Sequence, residues 1–245
     1  MDTLFIGQNI IKLKSVDSTN NFLTNLSNKS SLVEGTLVVG YNQLDGRGQH
    51  GNKWYSEAGK SLTISVLLFP KIDLAHQFLF NKCISLSICE TLKHFGILPK
   101  IKWPNDIFID DKKVAGILIE NSIQQQIISK SIVGIGMNVN NESLDFTFAT
   151  SLKIHKSMHF DMDHLLVLLC KELERHYLLL KSDTKSIIER YDNHLYRVNL
   201  PTTFLANDSV VKGVIKKVDD LGRLVLEIEG EIHSFSWGEL RFDFS

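Results

Sequence analysis

Cysteine, net charge and long apolar runs are all scarce in this sequence. Three cysteines, Cys83, Cys89 and Cys170, occur in 245 residues. An odd count set among apolar neighbours, without metal-ligand spacing, excludes a disulfide framework and reads as reduced core thiols of a cytoplasmic protein. Lys and Arg number 27 against 28 Asp and Glu, a formal net charge of −1. A dedicated nucleic-acid binder normally carries a clear basic excess. The apolar run Leu165 to Cys170 is far shorter than the roughly 20 residues of a membrane span. Met1-Asp2-Thr3-Leu4-Phe5 places no basic region before an apolar stretch, so no secretory signal is expected. No internal repeat or low-complexity segment is present.

What is there is ordinary globular material, 43% hydrophobic and 9% aromatic. At roughly 100–200 residues per domain, the length allows one large domain or one with a small partner. Strands are expected on either side of Gly7-Gln8-Asn9, over Thr36–Tyr41 and over Leu62–Phe69. Asp17-Ser18-Thr19-Asn20 supplies cap oxygens before Phe22, Leu23 and Leu26, a helix start. Helical spacing recurs over 75–95, stopped by Gly96, and over Met162–Leu180. Thr184–Tyr191 reads as a further short helix. Short strands are read at Lys100–Trp103 and Ile107–Ile109, then a hairpin at Asp110-Asp111-Lys112, then strands 114–120 and 127–139. After Pro201, β-like runs near 202–205, 209–218, 223–228 and 232–237 are divided by turns at Asn207-Asp208, Asp220-Leu221-Gly222 and Glu229-Gly230. Closely spaced strands of this kind predict a small all-β barrel appended to an α+β domain. The expected boundary separates residues 1–197 from 198–245.

Two phosphate-binding patterns almost match. Gly46-Arg47-Gly48-Gln49-His50-Gly51 fits G-x-G-x-x-G, but that fingerprint must open a helix in a βαβ unit. No helix is readable after it. Gly59-Lys60-Ser61 resembles the end of a P-loop, yet Trp54 stands where the pattern needs glycine. What remains is a loop with three glycines in six residues, whose backbone N–H groups can approach an anion closely. Arg47, His50 and Lys53 add basic side chains. A flexible surface loop is the plainer alternative. Lys102-Trp103-Pro104-Asn105-Asp106 sets a lysine after an apolar strand, ahead of a rigid polar turn. Trp103 can equally pack beneath a site or touch a ligand. His155 and His159 are four apart without an acidic or cysteine partner at ligand spacing, so no protein metal site is expected.

Five motifs follow in order: Asp17-Ser18-Thr19-Asn20; Gln43 with Gly46 to Trp54; Lys102-Trp103-Pro104-Asn105-Asp106; Lys113-Val114-Ala115-Gly116-Ile117-Leu118-Ile119-Glu120; and Gly134-Ile135-Gly136-Met137-Asn138-Val139-Asn140. This series resembles the biotin–protein ligases, over roughly residues 10–140 and more weakly over 200–245. The resemblance implies a mixed β-sheet flanked by helices, the class II synthetase-like biotin–lipoyl ligase fold, with a small C-terminal SH3-like β-barrel. It implies a reaction in two steps. Biotin and MgATP give biotinyl-5′-adenylate and pyrophosphate, and the acyl group passes to one lysine of a biotin carboxyl carrier domain.

By the same resemblance, Ser18, Thr19, Asn20, Gln43, Arg47, Gly48, Gln49, Lys102 and Gly116 are expected at biotin. Arg47, Gly48, Gln49, His50, Trp54, Asn105, Lys113, Asn138 and Arg241 are expected at ATP or the adenylate. Lys102 and Arg47 are the residues expected to be catalytic. The chemistry asks for such groups, because adenylation brings a carboxylate onto an α-phosphate and cations offset the repulsion. A ureido group needs paired donors and acceptors, which Ser18, Thr19 and Gln43 can offer. Many family members carry Arg where this chain has Gln49. The first motif begins at Asp17, so the form of the family without an N-terminal DNA-binding domain is expected, with no DNA or membrane partner and a monomer or weak homodimer. Lipoate–protein ligase, and a non-catalytic biotin or adenylate sensor, are the alternatives.

Overall fold

The computed structural model describes residues 2–206 and 209–244. The expected Asn207-Asp208 turn lies outside the described residues. In chain order the elements are β1 (Ile10–Leu13), α1 (Thr19–Lys29), β2 (Leu37–Gly40), β3 (Gly46–Arg47), β4 (Lys53–Trp54), β5 (Ser61–Leu68), β6 (Ile72–Asp73) and α2 (Gln77–Lys93). Then come β7 (Lys100–Lys102), β8 (Asp106–Ile109), β9 (Lys112–Gln124), β10 (Ile127–Asn138), α3 (Leu152–Lys156), α4 (Met162–Ser182) and α5 (Thr184–His194). The last strands are β11 (Pro201–Ala206), β12 (Ser209–Val218), β13 (Leu224–Ile228), β14 (Glu231–Phe235) and β15 (Leu240–Phe242).

Eight strands make one mixed sheet, ordered β1-β2-β5-β10-β9-β8-β7 with β6 against β10. The β1–β2 pair is parallel, and β10 runs antiparallel to both β5 and β9. The first of the two strands expected around Gly7 is not formed. Glu174 of α4 is buried and gathers the N–H groups of Leu4, Phe5 and Ile6 at 2.7, 2.8 and 3.1 Å. Three successive donors spent on one carboxylate cannot also serve a ladder.

Alternation along the strands divides the sheet into two faces. Val66, Val133, Ile135 and Ile117 share one face and belong to the main core with Phe80, Ile84 and Leu169 of α2 and α4. The register places Leu67, Ser65 and Thr63 beside Ile132, Gly134 and Gly136, and these beside Glu120, Leu118 and Gly116. That second face is covered at one end, where Leu23 of α1 packs on Val38, Leu67 and Ile132. Its glycine end is left open.

The strands after Pro201 form a five-stranded antiparallel sheet, ordered β14-β13-β12-β11-β15. Among the described residues no pairing joins β14 to β15, so no closed barrel is found. At the end of the three-residue β15, Phe242 meets Tyr196, which follows α5, at 5.7 Å, and Phe244 just beyond it meets Phe108 of β8 at 6.5 Å. Phe204, Ile215, Val218 and Leu226 join the same buried cluster as the first sheet. Trp103 belongs to this junction: it is 4% exposed, and its Nε1 donates to the Gly222 carbonyl at 2.8 Å. Packing is therefore its role. The three cysteines are free and buried, and burial pushes the Cys170 thiol up to about 12, so none is a reactive thiolate.

One buried histidine makes stability depend on acid. His176 is fully buried on α4, with Nδ1 2.9 Å from the Glu172 carbonyl. Burial, aided by Arg175 and Arg190, pulls its pKa from 6.5 to about 4. Between those values the unfolded chain binds a proton that the folded chain refuses, so stability falls as pH drops from 6.5 toward 4. The full effect is about 3 kcal/mol. Urea unfolding at pH 7 and pH 4.5 should show a smaller acid loss in His176→Phe than in the wild type.

Candidate active site

The open end of the sheet becomes a cavity because three glycines leave it bare. A Cβ on Gly134 would run into the Asn20 amide, and one on Gly136 into the Trp54 indole, each well inside van der Waals contact. A Cβ on Gly116 would press on both Trp54 and Lys113. These side chains lie flat on the sheet and wall a cavity of about 210 Å3. A second cavity of about 960 Å3 adjoins it, lined by Asn138 and the segment Ser143–Ala149. Gln43, Lys53, Trp54 and Lys113 line both.

Each wall has a local cause. Ser18 caps α1, its Oγ accepting from Asn21 N at 3.5 Å, which leaves the hydroxyl proton for another acceptor. Thr19 N and Oγ1 donate to Gln43 Oε1 at 3.0 and 3.2 Å. Ser65 Oγ lies 2.5 Å from Asn20 Oδ1 and 2.8 Å from Thr19 Oγ1, its single proton serving one of the two. Asn20 Nδ2 donates to Glu120 Oε2 at 2.8 Å. The network is buried at Thr19, Asn20 and Ser65 and its amides are fixed, so their remaining donors and acceptors present a set pattern to the cavity. Trp54 Nε1 is buried without an acceptor.

The glycine-rich loop folds as the β3–β4 ribbon, its tip a short 3-10 turn over Gln49–Gly51. That turn is not the α-helix a dinucleotide site requires. Arg47 reaches back from it, with Nη1 2.5 Å from Asn21 Oδ1 and Nη2 2.8 Å from Glu120 Oε1. At the tip His50 sits at φ 54° and stacks on Trp237 with centroids 3.5 Å apart.

Two lysines project at the cavity floor. Lys113 pairs with Asp106 at 2.6 Å and lies 5.5 Å from the Trp54 ring. Lys102 has no carboxylate within ion-pair distance among the described residues. Its ammonium faces the rings of Phe242, Phe108 and Phe244 at 5.1, 5.5 and 5.8 Å. Burial holds its pKa below the usual lysine range, with Asp106 opposing and Lys113 adding to the shift. A desolvated, unpaired cation beside a paired one is a ready site for an anion.

Comparison with known proteins supplies the family. Residues 13–138, just over half the chain, match the model of the biotin/lipoate A/B protein ligase family. The chain belongs to that family. It is 26% identical over 239 residues to the bifunctional ligase/repressor BirA of Escherichia coli, covering 96% of this chain and 74% of that protein. The Bacillus spizizenii protein of the same name is 34% identical over 180 residues, 70% of this chain. The match spans just over half of that relative's length, 55%. The biotin protein ligase of Aquifex aeolicus, solved in complex with biotin and ATP, has a TM-score of 0.81 and 27% identity, covering 97% of this chain and all of that one.

The residues expected at biotin and at the nucleotide take these places in the ligase-family fold. All the positions expected at biotin, Ser18, Thr19, Asn20, Gln43, Arg47, Gly48, Gln49, Lys102 and Gly116, line the first cavity. Of those expected at the nucleotide, Trp54 and Lys113 line both cavities and Asn138 only the second. Asn105 lines the first alone and ties its Nδ2 to the Ile117 carbonyl at 2.8 Å. His50 lines neither and stacks on Trp237, which walls the first. Arg241 lines neither; it lies on β15 opposite Leu205. Sequence reasoning missed Glu120, which anchors Arg47 and Asn20, and Trp237, which walls the first cavity. Period-two alternation from Gly116 through Leu118 would have found Glu120.

Proposed function

We propose that this chain activates biotin with ATP and transfers it to a lysine of a biotin carboxyl carrier domain. The observation that carries the reading is the pair of adjoining cavities with Lys113 lining both. In this reading the first cavity holds the acid. Its size suits a small apolar ring system, and the Thr19–Gln43–Asn20 network offers fixed partners to a ureido group. The second cavity holds the nucleotide. The carboxylate and α-phosphate then meet at the junction, where Lys113 and Lys102 offset two negative charges.

The carboxylate oxygen forms a bond to the α-phosphorus as the bond to the pyrophosphate leaving group breaks. The acceptor lysine then attacks the mixed anhydride and releases AMP, so no protein nucleophile is needed. Trp237 and the loop tip cover the intermediate and keep water from it. Mg2+ would enter with ATP and supply charge neutralisation. The second cavity carries Glu57 and Asp145, and no group of three or more His, Cys, Asp or Glu poised for a metal occurs among the described residues. That fits an ion held mainly by phosphates and water. Residues 1–197 carry the chemistry and 198–245 support it; the reading includes no operator binding by this chain.

Pyrophosphate release with ATP and either biotin or lipoate tests the acid; release with lipoate alone would overturn the choice. The loop makes a finer prediction. Arg47 is the charged member and Gln49 an uncharged one, so Arg47→Ala should speed adenylate release about tenfold and Gln49→Ala less. Equal rates of labelled adenylate loss would reject this.

A further inference from the structure

We propose that Phe242 and Phe244, at the end of the C-terminal sheet, are positioning residues that hold the Lys102 ammonium at the first cavity. The inference rests on the proposed use of Lys102 for an anionic intermediate. Three aromatic faces surround Nζ at 5.1 to 5.8 Å, within the range of cation–π attraction. Asp106, the nearby carboxylate, is already engaged by Lys113 at 2.6 Å.

The rings are themselves fixed. Phe242 packs on Phe204 at 5.0 Å and Phe244 on Phe148 at 5.0 Å. Phe148 belongs to the wall of the second cavity. Neither Phe242 nor Phe244 lines either of the two cavities described, so each acts through the lysine. The rings attract the ammonium without cancelling its charge, as a carboxylate would. An incoming anion therefore meets an uncompensated charge in a fixed place. The C-terminal strand thus supplies part of the reacting centre from the far end of the chain.

The test compares Phe242→Leu, Phe244→Leu, their tyrosine counterparts and Lys102→Ala in the full chain. Pyrophosphate release at saturating biotin and ATP should slow about tenfold in each leucine variant. Biotin affinity should stay within about twofold, because the acid contacts are untouched, and tyrosine should restore the rate. The Lys102 ε-methylene protons should lose their upfield ring-current shift in the leucine variants. Phe244 is partly exposed near the chain end, so its variant keeps the test open should Phe242→Leu unfold. Wild-type rates in the leucine variants, with Lys102→Ala slow, would overturn this inference alone. A wild-type rate in Lys102→Ala would overturn the underlying role of Lys102.

Discussion

Lys113→Met is expected to slow biotin-dependent pyrophosphate release about 10²- to 10³-fold, the usual cost of removing one preorganised donor from a developing charge. Methionine keeps the length and apolar stem and removes only the charge. Lys113 is singled out because it lines both cavities, whereas Lys102 lines the first alone. Its partner Asp106 holds it at 2.6 Å, so it does not have to be ordered during the reaction. The rate should fall while biotin binding changes little, since the charge matters most once the phosphate approaches. Lys102→Ala should also slow the step, and the two losses should not add, because both cations face one intermediate. Single-turnover pyrophosphate release, with biotin affinity measured separately, checks the split.

Gly136→Ala is expected to weaken ligand binding about 10- to 100-fold while sparing the fold. A strand interior favours alanine over glycine by about 0.5–1 kcal/mol, so the backbone does not object. The methyl group would, however, meet three atoms of the Trp54 indole closer than 3 Å. The ring would have to leave the sheet, and with it the wall between the two cavities. Thermal melting should change little, whereas the dissociation constants for biotin and ATP should both rise. Trp54→Phe in the Gly136→Ala background should recover part of the affinity. A methyl group that unfolds the protein, or leaves both constants unchanged, contradicts the role given to Gly136.

Local signals were the legible part of the fold. The Ser18 cap, the Gly96 stop and the helical stripe of α4 each depend on a few neighbouring residues, and each stands where the sequence puts it. The order of the strands is set by long-range pairing, which no window of residues reports. Two features failed for that reason. The strand expected before Gly7 is overridden by Glu174, about 170 residues away. Closure of the C-terminal sheet depends on pairing between strands far apart in the chain, and no closed barrel is found among the described residues. At the site, the motif residues were legible because type and spacing are written locally. Glu120 shares the strand face of Gly116 and Leu118, so its position was legible by alternation, but its partner Arg47 was not; Trp237 was not legible, because His50 comes from a distant loop. Trp103 shows the converse, a motif residue whose burial and bond to Gly222 make it a support.

The most direct test is to incubate the chain with biotin, MgATP and an isolated biotin carboxyl carrier domain, and to measure the mass of the carrier. One added biotinyl group is expected, dependent on ATP and strongly reduced by Lys113→Met. An unmodified carrier in the presence of bound biotin and released pyrophosphate, or acylation by lipoate in its place, would contradict it.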